Sequence, residues 1–272
     1  MSEEKQTPIG TMIVVAIAAG LIGYVIGKPA SPQAQDKATD ASEKPTQPEK
    51  PTEPKEPAFL KEGLVAYYPF NGNAKDESGN GNDGLAANVK YVSGGFGLGG
   101  KTAKFENGSS ITANAQNLPL GNTPRTMSCF VKVTGATPGT ETHIAAWGSY
   151  GQNNRMFAFF GDTFDVSPDG NGFLAWSQWG KTVDFTGPTE ATRETLYHLA
   201  ATFDGSTLTT YLNGTKVNSA AYQLNTGAGD LLIGHRSNYR TLQGSIDELR
   251  IYNRALSEEQ VQALYDWEKP KE

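Results

Sequence analysis

From residue 64 onward, apolar residues alternate with polar ones in short runs, and this pattern predicts β-strands. The runs are Leu64–Phe70, Thr126–Val133, His143–Trp147, Arg155–Phe160, Gly172–Trp179, Leu196–Phe203, Thr207–Leu212, Leu231–Ile233 and Gly244–Tyr252. Their spacing of about ten residues suits a sandwich rather than alternating β and α. Asn213-Gly214 sits between Tyr211-Leu212 and Thr215-Lys216-Val217. It predicts a type I′ hairpin, because that turn needs positive φ at both central residues. Asp204-Gly205 predicts a second turn of the same kind. A short helix is expected after Ser257, an N-cap with Gln260 three residues on in capping-box spacing. Leu256 and Val261 flank that cap at the spacing of a hydrophobic staple.

The first 58 residues follow other rules. Ile9–Gly27 carries no charge. As a helix it would span roughly 28 Å, about a bilayer core. A cleaved signal peptide is the rival reading. The exit around Lys28-Pro29-Ala30 places Lys where a small residue belongs, which favours an uncleaved signal anchor. Lys28–Ala58 is rich in Pro, Glu, Lys, Thr, Gln and Ala and offers little for a core. Pro45, Pro48, Pro51, Pro54 and Pro57 recur every third residue, the period of polyproline II, which predicts an extended stalk. The expected organisation is a tail at 1–8, a transmembrane anchor at 9–27, a proline-rich disordered stalk at 28–58 and a folded domain at 59–272.

The chain of 272 residues is long enough to bury a sizeable core. Its net charge of −6, with no basic cluster, argues against a nucleic-acid partner. Cys129 is the sole cysteine, so no intrachain disulfide is available, and its alternation with Met127 and Val131 predicts a buried position.

The closing run Gln243–Ser257 contains Gly244-Ser-Ile-Asp247-Glu-Leu-Arg-Ile-Tyr-Asn253-Arg-Ala-Leu-Ser257. It resembles the last motif of laminin G-like domains of the concanavalin A-like type. Gly63–Gly84 is similar to that family's opening motif, Leu196–Gly205 with Tyr211–Gly214 to its central hairpin, and Leu232–Arg236 to the strand before the closing motif. Phe130 stands where many relatives carry Trp, and both suit a packed strand. The resemblance implies an all-β, two-sheet antiparallel jelly-roll sandwich with a short C-terminal helix, here preceded by a transmembrane helix. It also implies a binding module rather than an enzyme.

Asp76-Glu-Ser-Gly-Asn80-Gly81-Asn82-Asp83-Gly84 begins like an EF-hand loop, but position twelve is Ala87 instead of Glu and the context is β. By resemblance, one structural calcium is expected, with Asp76 and Asp247 as carboxylates and Asn80, Gly81 and Asn82 as further oxygen donors. The competing reading has Asp76, Asn80 and Asn82 organising a turn while Asp247 caps backbone amides. Large aromatics beside polar side chains suit a sugar, whose C–H face stacks while its hydroxyls take hydrogen bonds. That points to Tyr150, Trp179, Arg236, Asn238 and Tyr239 as ligand-binding residues, while Trp147 and Trp176 read as core.

His143, His198 and His235 form no zinc motif, and no G-x-S-x-G elbow occurs. Asp247 and Glu248 are adjacent, so on a regular strand they face opposite ways and make no retaining carboxylate pair. No catalytic residues are assigned. The sequence predicts a single-pass, membrane-anchored, extracytoplasmic module at the cell surface or in the periplasm. It would bind glycans or glycan-bearing proteins. An adhesion or assembly protein contacting other proteins is the alternative, and a glycoside hydrolase the remotest.

Overall fold

A computed structural model of the chain describes residues 55–98, 100–135, 142–149, 156–162, 172–178, 182–184, 191–236 and 241–271. The expected anchor at 9–27 and the expected stalk as far as residue 54 lie outside the described residues. No described helix is long and apolar enough to cross a membrane.

A 3-10 turn, Ala58–Lys61, precedes the strands β1 (Leu64–Tyr68), β2 (Leu85–Ala87), β3 (Lys90–Ser93), β4 (Lys101–Phe105), β5 (Ser110–Ala113) and β6 (Arg125–Gly135). Then come β7 (Thr142–Gly148), β8 (Met156–Asp162), β9 (Phe173–Ser177), β10 (Thr182–Asp184), β11 (Leu196–Phe203) and β12 (Thr207–Leu212). The chain continues through β13 (Thr215–Ala221), β14 (Leu231–Ile233), β15 (Gln243–Tyr252) and the helix α1 (Glu258–Glu268). The first sheet runs β13-β12-β11-β6-β15-β4-β3, with β1 also paired to β15. The second runs β10-β9-β8-β7-β14-β5-β2. Every pairing is antiparallel. This is the two-sheet sandwich with a C-terminal helix that the alternation predicts.

The sheets meet through one continuous apolar layer, with Met127, Val131, Ile246 and Ile251 on one side and Ile144, Phe159, Leu174 and Ile233 on the other. Trp147, Phe157 and Trp176 pack in series, with ring centroids 4.8 and 5.4 Å apart. Both tryptophans are buried, as read from the sequence. Cys129 is a free, buried thiol, and burial raises its pKa.

The strands absent from the sequence reading are β2, β3, β4, β5 and β10. All are three to five residues long. The outer strands β2 and β3 carry no fully buried residue: β2 is exposed throughout, and β3 turns only Tyr91, partly buried, onto the core, too little to mark a strand by period. The Asn213-Gly214 turn has φ of 50° and 79°, as a type I′ hairpin requires. The Asp204-Gly205 expectation is corrected: φ is positive at Gly205 alone, and Asp204 Oδ1 instead accepts from the N–H groups of Ser206 and Thr207. A side-chain-capped, three-residue loop therefore joins β11 to β12.

Helix α1 closes the outer face of the first sheet at one end. Ser257 and Gln260 form the reciprocal capping box. Leu256, Val261 and Leu264 pack with Leu60, Ala200, Tyr211 and Tyr252. Each such aliphatic side chain contributes about 1.5–3 kcal/mol when fully buried. Beneath the helix lie Phe130 and His198, with ring centroids 4.9 Å apart, and Tyr265 stands 5.5 Å from His198. The last helical residue, Glu268, is buried and accepts from Arg250 Nε. Its other oxygen lies 3.9 Å from His198 Nε2.

Burial holds His198 down at about 3, well below its ordinary 6.5. The unfolded chain takes up a proton here as pH falls through 6.5 and the folded chain does not. The stability contributed by neutral His198 is thus present above pH 6.5 and lost toward pH 3, by at most about 1.4 kcal/mol per pH unit. His198→Phe is expected to shrink the gap in urea midpoint between pH 7 and pH 5; an unchanged gap would refute the assignment.

Candidate functional site

On one edge, β15 changes neighbour halfway along. Gly244–Ile246 pair with β4, whereas Leu249–Tyr252 pair with β1. The register shifts between Asp247 and Arg250, and Glu248 has φ of 51°, left-handed for a residue with a side chain. This is a β-bulge. It overturns the expectation that Asp247 and Glu248 face opposite ways. Both carboxylates reach the same segment, because the left-handed residue breaks the alternation. Asp247 Oδ2 accepts from Phe96 N at 2.8 Å and Gly97 N at 3.4 Å, and Glu248 Oε1 accepts from Leu98 N at 3.4 Å. Gly97 is required: a Cβ there would collide with Glu248 Cγ.

The carboxylates are buried, and that sets their charge. Burial first and the Glu248 charge second push Asp247 up to about 7, against the pull of the Phe96, Gly97 and Glu248 amides. Burial also raises Glu248, while the Tyr67 hydroxyl, donating at 2.5 Å, and Arg250 oppose it. The Arg250 guanidinium stacks 3.6 Å from the Tyr67 ring centre. It faces Glu248 at 3.9 Å as well as Glu268, so one cation serves two carboxylates.

The pinned segment forms one wall of a groove of about 580 Å³ on the part of the first sheet that α1 leaves uncovered. Its floor is Thr102 and Lys104 of β4, Ser245 of β15 and Lys132 of β6, with Phe96 and Glu194 at the sides. Ser245 pairs with Lys104 on one side and Lys132 on the other, so the two lysines lie in one transverse row. Lys132 Nζ sits 5.5 Å from the Phe96 ring centre and 3.7 Å from a Glu194 oxygen. Thr102 and Ser245 are buried and the Thr102 hydroxyl donates to Ile246 O, so the groove presents the Lys104 and Lys132 ammonium groups and the Glu194 carboxylate as a strip beside one aromatic face. Such a strip can hydrogen-bond a polyhydroxylated chain and stack against it. Sequence reasoning missed the groove because β3 and β4 were not read as strands.

Asp76 Oδ1 accepts from Tyr67 N and Ser78 N, and Oδ2 from Ser78 Oγ and Asn82 N, each at 2.9 Å. The Asn80 amide donates to Leu64 O and Val65 O, and Asn82 Nδ2 donates to Val65 O. Gly81 has φ of 76°, which lets the loop turn. These bonds are the turn-organising pattern. Asp76 and Asp247 bond to different loops, one in the opening motif and the other ahead of β4. Among the described residues, no cluster of three or more His, Cys, Asp or Glu is placed to hold a metal.

Of the expected ligand residues, Tyr150, Trp179, Asn238 and Tyr239 lie outside the described residues, and Arg236 is half-buried after β14. The described residues before them diverge. Gly148 pairs with Met156 at one end of β7, whereas Gly234, leading to Arg236, bonds to Ile144 toward the other end.

A profile described as the concanavalin A-like lectin/glucanases superfamily matches residues 105–262, more than half of the chain. No curated protein matches it. Among solved structures, domain 4 of AbnA, a GH43 extracellular arabinanase from Geobacillus stearothermophilus in complex with arabinotriose, is similar. It is 25% identical with a TM-score of 0.57, over 74% of this chain and 98% of that one. The binding domain of Paraclostridial Mosquitocidal Protein 1 is 21% identical with a TM-score of 0.55, over 76% of this chain and 52% of that one. The botulinum neurotoxin serotype D binding domain is 16% identical with a TM-score of 0.56, over 76% and 52%. The chain spans about half the length of these two toxin domains, and with them it shares the fold.

Proposed function

The chain belongs to the concanavalin A-like lectin/glucanases superfamily, and from that premise we propose that it is a non-catalytic module binding glycans, free or on a surface protein. The observation that carries the reading is the groove on the first sheet, where Phe96 stands beside Thr102, Ser245, Lys104 and Lys132. The likeness to a domain described in complex with arabinotriose supports it. A glycan array probed with the full-length chain tests it. Binding is expected, and Phe96→Ala should weaken it by about 1–3 kcal/mol, the range for one stacking aromatic. An array with no binder at all would overturn the reading.

Calcium belongs to the same proposal. Both carboxylates are already engaged. Asp76 already takes four donors and Asp247 accepts from three backbone amides, so an ion held by either carboxylate would have to replace some of those bonds. An ion bound only by the folded state stabilises it by about 2.7 kcal/mol at a hundredfold excess over Kd. Calcium added to chelator-treated protein is expected to raise Tm by several degrees, and Asp247→Asn to lose most of that rise. A Tm unmoved by either chelator or calcium would remove the ion and leave Asp247 as a cap for the Phe96–Gly97 amides.

The uncharged run Ile9–Gly27 supports a single-pass anchor, with 28–58 as a stalk and the domain outside the cytoplasm. N-terminal sequencing of the mature protein is expected to show a start ahead of Ile9, with the uncharged run still attached. A start near Ala30 or Ser31 would replace the anchor with a cleaved signal peptide.

A further inference from the structure

Helix α1 ends on a buried carboxyl group. Glu268, its last residue, is fully buried between the helix and the first sheet. Its Oε1 accepts from Arg250 Nε, while its Oε2 has no hydrogen-bond partner. That oxygen faces His198 Nε2 at 3.9 Å, and neither ring nitrogen of His198 has a hydrogen-bond partner. Two orphaned polar atoms thus face each other in a dry place, which is costly unless a proton joins them.

The charge around Glu268 is one-sided. From β15 it meets Arg250, and that guanidinium also serves Glu248 at 3.9 Å, with Asp247 on the same strand. Cys129 of β6, Tyr67 of β1, Tyr252 of β15 and Tyr265 of α1 surround the pair, and none of these side chains can carry a positive charge. His198 of β11 could, but burial keeps it neutral, at about 3. Lys269, next along the chain, gives its ammonium to Asp266 Oδ1 at 2.7 Å. The helix adds to the imbalance, because its C-terminal end carries partial negative charge.

We propose that Glu268 holds a proton in the folded chain at neutral pH, and that this proton latches the last turn of α1 onto the first sheet, closed in neutral and acid solution and released in alkali. Protonated, Oε2 becomes a donor, and neutral His198 Nε2 can accept from it after a small rotation of either side chain. Ionised, Glu268 adds a buried negative charge where one guanidinium already serves two carboxylates, so water must reach it and the helix end must leave the sheet. Burial first, with the Glu248 and Asp247 charges behind it, pushes the carboxyl up to about 8 against the pull of Arg250. The unfolded chain loses this proton near 4.5 and the folded chain keeps it, so the stability it supplies is whole below pH 4.5 and runs out as pH rises toward 8. The geometry also says what release uncovers. Phe130 lies 6.2 Å from the Tyr265 ring and is the outward residue before Lys132 on β6, so an open helix end lengthens the exposed strip by one aromatic side chain.

The latch does not depend on what the groove binds, and its test reads the helix end directly. Trp267 stands beside Glu268 and packs on the apolar cluster under α1, whereas Trp147 and Trp176 are buried between the sheets. The full-length chain in detergent is labelled with 5-fluorotryptophan, and its fluorine spectrum is followed from pH 5 to 9.5. Trp267→Phe identifies the Trp267 line. That line is expected to move toward its solvent-exposed position with a midpoint near pH 8, while the Trp147 and Trp176 lines stay in place and show that the sandwich remains folded. Glu268→Gln keeps the shape without the ionisation and is expected to hold the Trp267 line fixed across the range. Glu268→Met, apolar and of similar length, serves the same purpose should the Gln variant fail to fold. A wild-type Trp267 line that does not move between pH 5 and 9.5 would overturn the latch. So would a shift of the same midpoint and size in a folded Glu268→Gln or Glu268→Met chain.

Discussion

The outer face of the first sheet is governed by one constraint: β15 must serve two neighbours on the same edge. β4 ends its pairing at Ile246 and β1 begins at Leu249, so the edge of residues 247–248 is left without a ladder partner. Buried backbone and carboxylate groups tolerate such a gap only if something else bonds to them. The bulge answers this by turning Asp247 and Glu248 onto the N–H groups of Phe96, Gly97 and Leu98. A loop is thereby fastened where a strand would otherwise lie. The position of Phe96 above the sheet, and with it the shape of the groove, follows from that fastening.

The same bulge concentrates charge. Asp247, Glu248 and Glu268 are all buried, and Arg250 is the cation among them. Burial raises all three carboxyl groups. Apolar residues of the same shape would be no less stable in many such settings. Position is what this arrangement supplies. Glu268 ties the last turn of α1 to the sheet, Glu248 ties Tyr67 of β1, and Asp247 ties the loop before β4. Three segments distant in sequence are registered against one strand, and a substitution at Arg250 would leave both Glu248 and Glu268 uncompensated at once.

What was legible in the sequence follows burial. β6, β11, β12 and β15 carry inward apolar residues, and their alternation announced them. The capping box at Ser257 and the Asn213-Gly214 turn were legible because each depends on a few neighbouring residues with fixed geometry. The strands β2 and β3 were not, because β2 is exposed on both faces and β3 turns only Tyr91 onto the core, which leaves no period to read. Asp204-Gly205 misled because the dipeptide is compatible with several turns, and the Asp204 side chain chose among them. The bulge was invisible for a different reason. Ile246-Asp247-Glu248-Leu249 looks like any strand with polar outward positions, and the shift arises only because β4 and β1 meet there. The groove inherits that opacity, since its wall comes from the loop that the bulge holds.

The division of the first sheet's outer face into a covered and an open part is itself a consequence of α1. The helix has eleven residues, about 16 Å at 1.5 Å per residue. It lies over Ala200, Tyr211 and Tyr252, at the end where β6 begins. β6 also has eleven residues, but at about 3.3 Å each it is twice as long. A helix of that length cannot cover such a strand if both run the same way, and a crossing helix covers still less of it. Outward residues near Thr126 are therefore apolar-packed or bonded to the helix entry, as Thr126 Oγ1 is to Arg254 O. Outward residues near Lys132 must tolerate water, and they are lysine and threonine. The polar character of the groove thus comes first from exposure. Its shape follows because a buried aspartate holds the segment of Phe96 beside those lysines.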